Sequence, residues 1–275
     1  MRIDSHQHFW KYDPIKEYWI TPEMSVIQKD FLPQDLKPLL QENNIEGCIA
    51  VQADQSENET HFLLQLANEY DFIKGVVGWV DFKKPDIEER LDYFSSFEKL
   101  KGFRHIFPAE ADIDFMLRKD FCNGIQKLAT FNFTYDIIVS PNQWPFVMEF
   151  INQFPEQRFV IDHLAKPDFK QPDFKLWEKM IHTVAQNPNV FCKVSGLVTE
   201  AHWNNWKIND FKYALEVIID AFGIERLMFG SDWPVCLVAG SYSEVHAVAT
   251  HYFSTFSTEE QKKFWGENAL RFYNL

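Results

Sequence analysis

Short, almost unbroken apolar runs recur along the chain, and between them apolar residues return every three to four positions. Runs at Arg2–Ser5, Gly47–Gln52, Ile73–Trp79, Gly102–Ile106, Thr134–Val139, Arg158–Asp162, Val190–Val194 and Arg226–Phe229 read as eight strands. Continuous rather than alternating apolarity marks strands buried on both faces, as in a parallel sheet. The intervals carry helical faces: Phe62, Leu63, Leu66 and Tyr70; Ile87, Leu91 and Phe94; Phe146, Val147, Phe150, Ile151 and Phe154; Leu176, Trp177, Met180, Ile181 and Val184; Phe211, Leu215, Ile218 and Phe222. Pro33 and Pro145 suit first helical turns, and Ser257-Thr258-Glu259-Glu260 has capping-box spacing ahead of a terminal helical stretch.

Eight strands with a helix in most intervals predict an α/β fold, a closed (β/α)8 TIM barrel rather than an open doubly wound sheet. No repeat, low-complexity tract or Ser/Gly linker breaks residues 1–275, so one domain is expected. Two connections are long, Phe9–Leu32 and Cys236–Val245. Both leave the C-terminal ends of strands, where a barrel holds its substrate, and are expected to form a lid or rim.

Charge narrows the range of partners. Lys and Arg number 27 against 40 Asp and Glu, a formal charge of −13. Such a field opposes nucleic acid and anionic membranes, and it disfavours strongly anionic ligands unless basic residues gather locally. No run reaches the length of a membrane span and no basic start leads into an apolar leader, so a soluble, cytoplasmic protein is expected. The four cysteines are scattered without a CxxC pair and are expected as reduced thiols in or near the core.

Candidate chemistry gathers at the strand ends. His6 and His8, at i and i+2 on the first strand, leave on the same face. Gln52, Arg104, Asp136, His163, Ser195 and Asp232 fall in or just after later strands, at the end where a barrel binds its ligand. A histidine pair with an aspartate brought up from a distant strand is a set suited to activating water. The chain has no GxGxxG opening a helix, no Walker loop, no HExxH and no GxSxG elbow, so Ser195 is expected to hydrogen-bond rather than act as a nucleophile.

The segments Ile3-Asp4-Ser5-His6-Gln7-His8-Phe9-Trp10, Val51-Gln52-Ala53, Gly102-Phe103-Arg104-His105, Thr134-Tyr135-Asp136, Ile161-Asp162-His163-Leu164-Ala165-Lys166-Pro167, Lys193-Val194-Ser195-Gly196-Leu197, Leu227-Met228-Phe229-Gly230-Ser231-Asp232-Trp233-Pro234 and Gly266-Glu267-Asn268-Ala269 span nearly the whole chain. In that order they resemble the amidohydrolase superfamily, and within it the amidohydrolase-2 branch containing sugar-lactone hydrolases of the L-fucono- and L-rhamnonolactonase type. The resemblance places His6 and His8 at first-strand metal-ligand positions, His163 at the sixth-strand histidine, and Asp232 at the eighth-strand aspartate that takes a proton from the attacking water. Strand five offers no histidine and strand four ends in no bridging lysine, which argues against a binuclear centre. The cofactor is then either none or one divalent metal, zinc first, held by His6, His8 and Asp232 with His163.

The expected reaction is hydrolysis of a small sugar 1,4- or 1,5-lactone to its aldonic acid. Catalysis falls to Asp232, His163, His6, His8 and Arg104, and substrate binding to Trp10, Gln52, Asp136, Trp144, Lys166, His202 and Trp203. Blander readings stand beside these: an ion pair for Arg104, a solvated side chain for Lys166, cover over the barrel rim for the aromatic residues, and a structural hydrogen-bonding pair for the histidines. Three rival functions remain: hydrolysis of a carboxylated lactone, non-oxidative decarboxylation on the same barrel, and non-enzymatic sugar binding. Such barrels commonly pair as homodimers, but no interface feature is legible.

Overall fold

The computed structural model describes residues 1–171 and 173–275. Its strands are β1 (Ile3–Gln7), β2 (Gly47–Val51), β3 (Ile73–Gly78), β4 (Leu100–Ile106), β5 (Thr134–Ile138), β6 (Phe159–Ile161), β7 (Val190–Val194) and β8 (Leu227–Phe229). They form one sheet in chain order, every neighbouring pair parallel. The helices are α1 (Pro33–Glu42), α2 (Glu57–Glu69), α3 (Ile87–Ser95), α4 (Lys119–Ile125), α5 (Trp144–Asn152), α6 (Lys175–Val184), α7 (Lys212–Phe222), α8 (Tyr242–Phe253), α9 (Thr258–Lys262) and α10 (Asn268–Tyr273). Strand and helix alternate around the barrel as the apolar pattern predicts. Ser257 caps α9 with Glu260 in the expected reciprocal box.

The barrel is nearly closed. Among the described residues no continuous ladder joins β8 to β1, and the seam is held by separate links from β1 to the end of β8 and the residues just after it. A parallel bridge pairs Gln7 with Trp233. The Ser5 hydroxyl donates to the Phe229 carbonyl at 2.5 Å, and the Asp232 amide donates to the His6 carbonyl at 2.8 Å. Two of these links involve the segment that carries the first histidine and the late aspartate. Closing the barrel therefore also brings those side chains together.

Strand alternation divides the core. Ile3, Ile49, Val51, Val77, Val160 and Met228 pack together with Ala269, Phe272 and Tyr273 of α10, which stoppers the barrel floor. Cys48, Ala50, Val76, Ile161 and Cys192 pack instead with the helix layer. Both faces are apolar, which explains the continuous runs. All four cysteines are buried and unpaired. No described helix is long and apolar enough to cross a membrane.

Candidate active site

Above the apolar floor the barrel interior changes character. β1 contributes a bulge: Asp4 pairs with Cys48 but Gln7 with Ala50, so β1 spends one residue more than β2. The ring nitrogen Nδ1 of His8 lies 2.7 Å from the Val51 carbonyl, which can only accept, so Nδ1 carries the proton. Nε2 then faces Oδ1 of Asp232 at 3.4 Å. Two acceptors so placed need a proton or a cation between them. Nε2 of His6 and Nε2 of His163 lie 3.8 and 3.9 Å from the same Asp232 oxygen. Burial opposes ionisation of Asp232, but His163, His8 and His6 hold it well below the usual carboxylate range.

Asp4 fastens this arrangement from beneath. Its Oδ1 accepts the Ser231 and His6 amides at 2.9 and 3.1 Å, and its Oδ2 accepts the Tyr242 hydroxyl at 3.1 Å. Burial raises its carboxyl to about 6.

His163 arrives by an unusual route. After β6 the chain runs through His163, Leu164, Ala165 and Lys166 at φ of +54°, +53°, +58° and +56°. None is a glycine, and left-handed backbone costs such residues roughly 1–2 kcal/mol each. The imidazole is then fixed on two sides. Its Nδ1 lies 2.9 Å from the Ser195 hydroxyl, the hydrogen-bonding role expected of that serine. Gly196 sits against the ring at φ +66°, where a Cβ would come within 2.7 Å of His163 Nδ1, so only glycine fits there. Burial lowers the His163 pKa to about 4, leaving the ring neutral near pH 7.

Behind these groups lies a buried ionic cluster. Arg104 Nη1 donates to Asp162 Oδ2 at 3.0 Å and lies 3.3 Å from His6 Nε2, while Nη2 donates to the backbone carbonyl of Gln52. Lys193 Nζ reaches Asp136 Oδ2 at 2.5 Å, Asp162 Oδ1 at 3.1 Å and His6 Nδ1 at 3.1 Å. The Tyr273 hydroxyl donates to both oxygens of Asp136, at 3.1 and 2.9 Å. Burial resists the ionisation of Asp162, yet Lys193, His6 and Arg104 keep it well below the ordinary range. Burial dominates at Asp136 and lifts it to about 6 despite Lys193. Neither Asp162 nor Lys193 was among the residues expected at the site. Lys193 is disguised by its strand, Val190-Phe191-Cys192-Lys193-Val194, where one long aliphatic stem fits an apolar run. A lysine inside a fully buried strand was the available signal.

A cavity of about 470 Å³ opens above this floor, a size suited to a small molecule. His8, Arg104, His163, Lys166, Trp203 and Asp232 border it, and the long first connection adds Lys16, Tyr18, Trp19 and Met24. Val235 and Val238 complete the wall beside Asp232. Arg104 forms the ion pair given as its blander reading, with Asp162, and also borders the cavity. Lys166 pairs with Glu200 at 2.9 Å on the wall.

Trp10, Gln52, Asp136, Trp144 and His202, expected at the substrate, do not border this cavity. Trp10 is buried between Trp19 and Phe31 and donates its indole N–H to the Lys29 carbonyl at 2.9 Å. Gln52 is spent on Arg104, with its Nε2 donating to the Arg104 carbonyl at 3.1 Å. Asp136 points into the interior towards Lys193, and Trp144 donates to the Ala165 carbonyl at 2.8 Å. His202 is solvent-exposed. His6 is fully buried, one layer behind His8.

The donor set suits one divalent cation. His6, His8 and Asp232 offer ligand atoms within 4.8 Å of one another. The Val51 carbonyl orients His8 in the way carbonyls orient metal-binding imidazoles. Arg104 Nη1 competes for His6 Nε2 from 3.3 Å, so a bound ion would displace that contact.

The family model described as amidohydrolase matches residues 3–275. An L-fucono-1,5-lactonase of Burkholderia multivorans is 41% identical over 286 residues, covering 100% of this chain and 96% of the relative. The chain belongs to the amidohydrolase family. A second L-fucono-1,5-lactonase, from Burkholderia ambifaria, is 32% identical and covers 100% and 96% of the two chains. A crystal structure of a Burkholderia multivorans amidohydrolase with bound zinc superposes at a TM-score of 0.95, with 39% identity and 100% and 99% coverage. The barrel expected from the strand pattern and the amidohydrolase family implied by the motifs are thus both shown.

One residue bonded to the cavity wall of this amidohydrolase yields a pH prediction. Glu59, at the start of α2, accepts the amide of the cavity residue Ala53 at 3.2 Å, and burial raises its carboxyl to about 7. A carboxyl raised on folding stabilises the protein fully below its unfolded pKa, and that contribution is lost as pH rises through the folded value. Glu59→Gln, fixed in the neutral form, should match wild type near pH 4.5 and gain about 2 kcal/mol by pH 8, after discounting for its part-exposed edge. Denaturant titrations at the two pH values check this, and an equal offset at both would contradict it.

Proposed function

We propose that this chain hydrolyses the ring ester of a small sugar lactone, with L-fucono-1,5-lactone the first substrate to test. The observation that carries the reading is the convergence of His6, His8 and His163 on one oxygen of Asp232 at the base of a small-molecule cavity. Two relatives at 41% and 32% identity, both named L-fucono-1,5-lactonase, support the choice of substrate.

Asp232 stays ionised and accepts a proton from water as that water attacks the lactone carbonyl. The carbonyl oxygen takes up negative charge. If the Ser195 hydroxyl donates to His163 Nδ1, the ring proton sits on Nε2 and faces that oxyanion. Arg104, held by Asp162 and Gln52, adds a fixed positive charge to the same wall. The tetrahedral intermediate then expels the ring oxygen, and Asp232 returns its proton to that alkoxide, leaving a hydroxy acid. A divalent ion held by His6, His8 and Asp232 would supply Lewis-acid polarisation and a more acidic water.

The test is pH-indicator hydrolysis across a panel of aldonolactones, using metal-stripped protein and the same sample with added zinc. L-Fucono-1,5-lactone is expected to be opened in preference to lactones of other configuration. The zinc comparison reports whether turnover depends on a bound ion. No acid release from any lactone in either sample would overturn the proposal.

A further inference from the structure

The left-handed turn at His163–Lys166 has a consequence for how the site is aimed. The Lys166 amide donates to the His163 carbonyl at 2.7 Å, closing a four-residue turn. At about three residues per turn, side chains at i and i+3 eclipse one another. His163 and Lys166 therefore both border the cavity, while Leu164 and Ala165 between them are fully buried. The carbonyls of these two middle residues are each taken by an indole from the outer helix layer. Trp177 of α6 donates to Leu164 at 2.7 Å, and Trp144 of α5 donates to Ala165 at 2.8 Å. Both tryptophans are buried, and neither borders the cavity.

We propose that Trp144 and Trp177 are positioning residues that hold a strained left-handed turn, and that the turn in turn aims His163 at Asp232. The backbone here adopts a conformation that its own residues disfavour, so something outside the turn must hold it. The indole N–H groups are the contacts that reach its carbonyls from the helix layer. Released from them, the turn relaxes towards ordinary φ, and His163 Nε2 swings away from its 3.9 Å approach to Asp232. The activity readout rests on the lactonase reading, but the stability readout does not.

Trp144→Phe and Trp177→Phe keep an aromatic ring and remove the donor. Each is expected to lower kcat for lactone hydrolysis at least about fivefold, with KM changing less than kcat. Ala165→Gly is the rescue, because glycine adopts positive φ without steric cost. Added to Trp144→Phe, it should bring kcat back to within about twofold of wild type and restore most of the lost Tm. Alone, it should leave Tm at or above the wild-type value, although a buried alanine elsewhere would lose stability to glycine. Unchanged kcat in both tryptophan variants overturns the proposal. So does a loss that glycine fails to recover, or a fall in Tm for Ala165→Gly alone. That last measurement stands even if a tryptophan variant does not fold. A wild-type protein inert towards lactones, with the Tm pattern intact, would sink the lactonase reading and leave the turn assignment standing.

Discussion

Asp232→Asn is expected to lower kcat for lactone hydrolysis by about a thousandfold while leaving KM within a few-fold of wild type. Removing a general base typically costs roughly 10²–10⁴ in rate. Asparagine keeps the size and planarity of the side chain but cannot take a proton from water. It can also turn an amide N–H towards His8 Nε2, which faces the Asp232 oxygen at 3.4 Å, so the contact survives as a neutral hydrogen bond. The fold should survive with a lowered Tm, because the charge favoured by His163, His8 and His6 is gone, and the kinetic loss should fall on the chemical step. Initial rates over a range of lactone concentration, with Tm as the control, check this. The ratio to wild type should persist in metal-stripped and zinc-supplemented protein. A variant within tenfold of the wild-type kcat would remove Asp232 from the proposed role.

How far the site was legible in the chain differs from residue to residue, for physical reasons. Strand β7 is found as read, Val190–Val194, because a short apolar run between helical faces has few other uses. β1 runs two residues beyond the expected Ser5, since the bulge at Ser5-His6 lengthens it without altering the apolar pattern. His8, His163 and Asp232 could be placed at one end of the barrel because strand ends in this fold share a face. The tryptophans were harder. An indole offers an apolar body and one donor, so Trp144 on the helix layer and Trp203 on the cavity wall look alike in sequence. Nothing in Asp162-His163-Leu164-Ala165-Lys166-Pro167 announces positive φ, which is ordinarily signalled by glycine or asparagine. Trp144 and Trp177 meet that backbone from outside, a tertiary contact that no local pattern records.

Lys193 carries the second large effect. Lys193→Met keeps the stem that fits β7 and deletes the charge shared by Asp136, Asp162 and His6. Breaking a buried ion pair by removing one partner leaves an uncompensated charge and costs about 3–5 kcal/mol. Asp162 still has Arg104, so the penalty falls mainly on Asp136, whose other hydrogen-bond partner is the Tyr273 hydroxyl. Asp136 is already raised to about 6 by burial, and losing Lys193 removes the main influence that lowers it. A carboxyl raised on folding favours the folded state below its unfolded pKa, and that advantage disappears as pH rises through the folded value. The destabilisation by Lys193→Met should thus be smallest near pH 5 and largest near pH 8. Adding Asp136→Asn removes the orphaned charge and keeps an acceptor for Tyr273, so more than half of the lost stability should return. Activity should not return with it, because His6 Nδ1 has still lost its ammonium neighbour at 3.1 Å. Urea titrations of both variants at the two pH values, paired with kcat, separate the two effects. Recovery of stability and turnover together would make Lys193 only a counter-ion to Asp136. Recovery of stability alone would mean that the lysine orients the histidine.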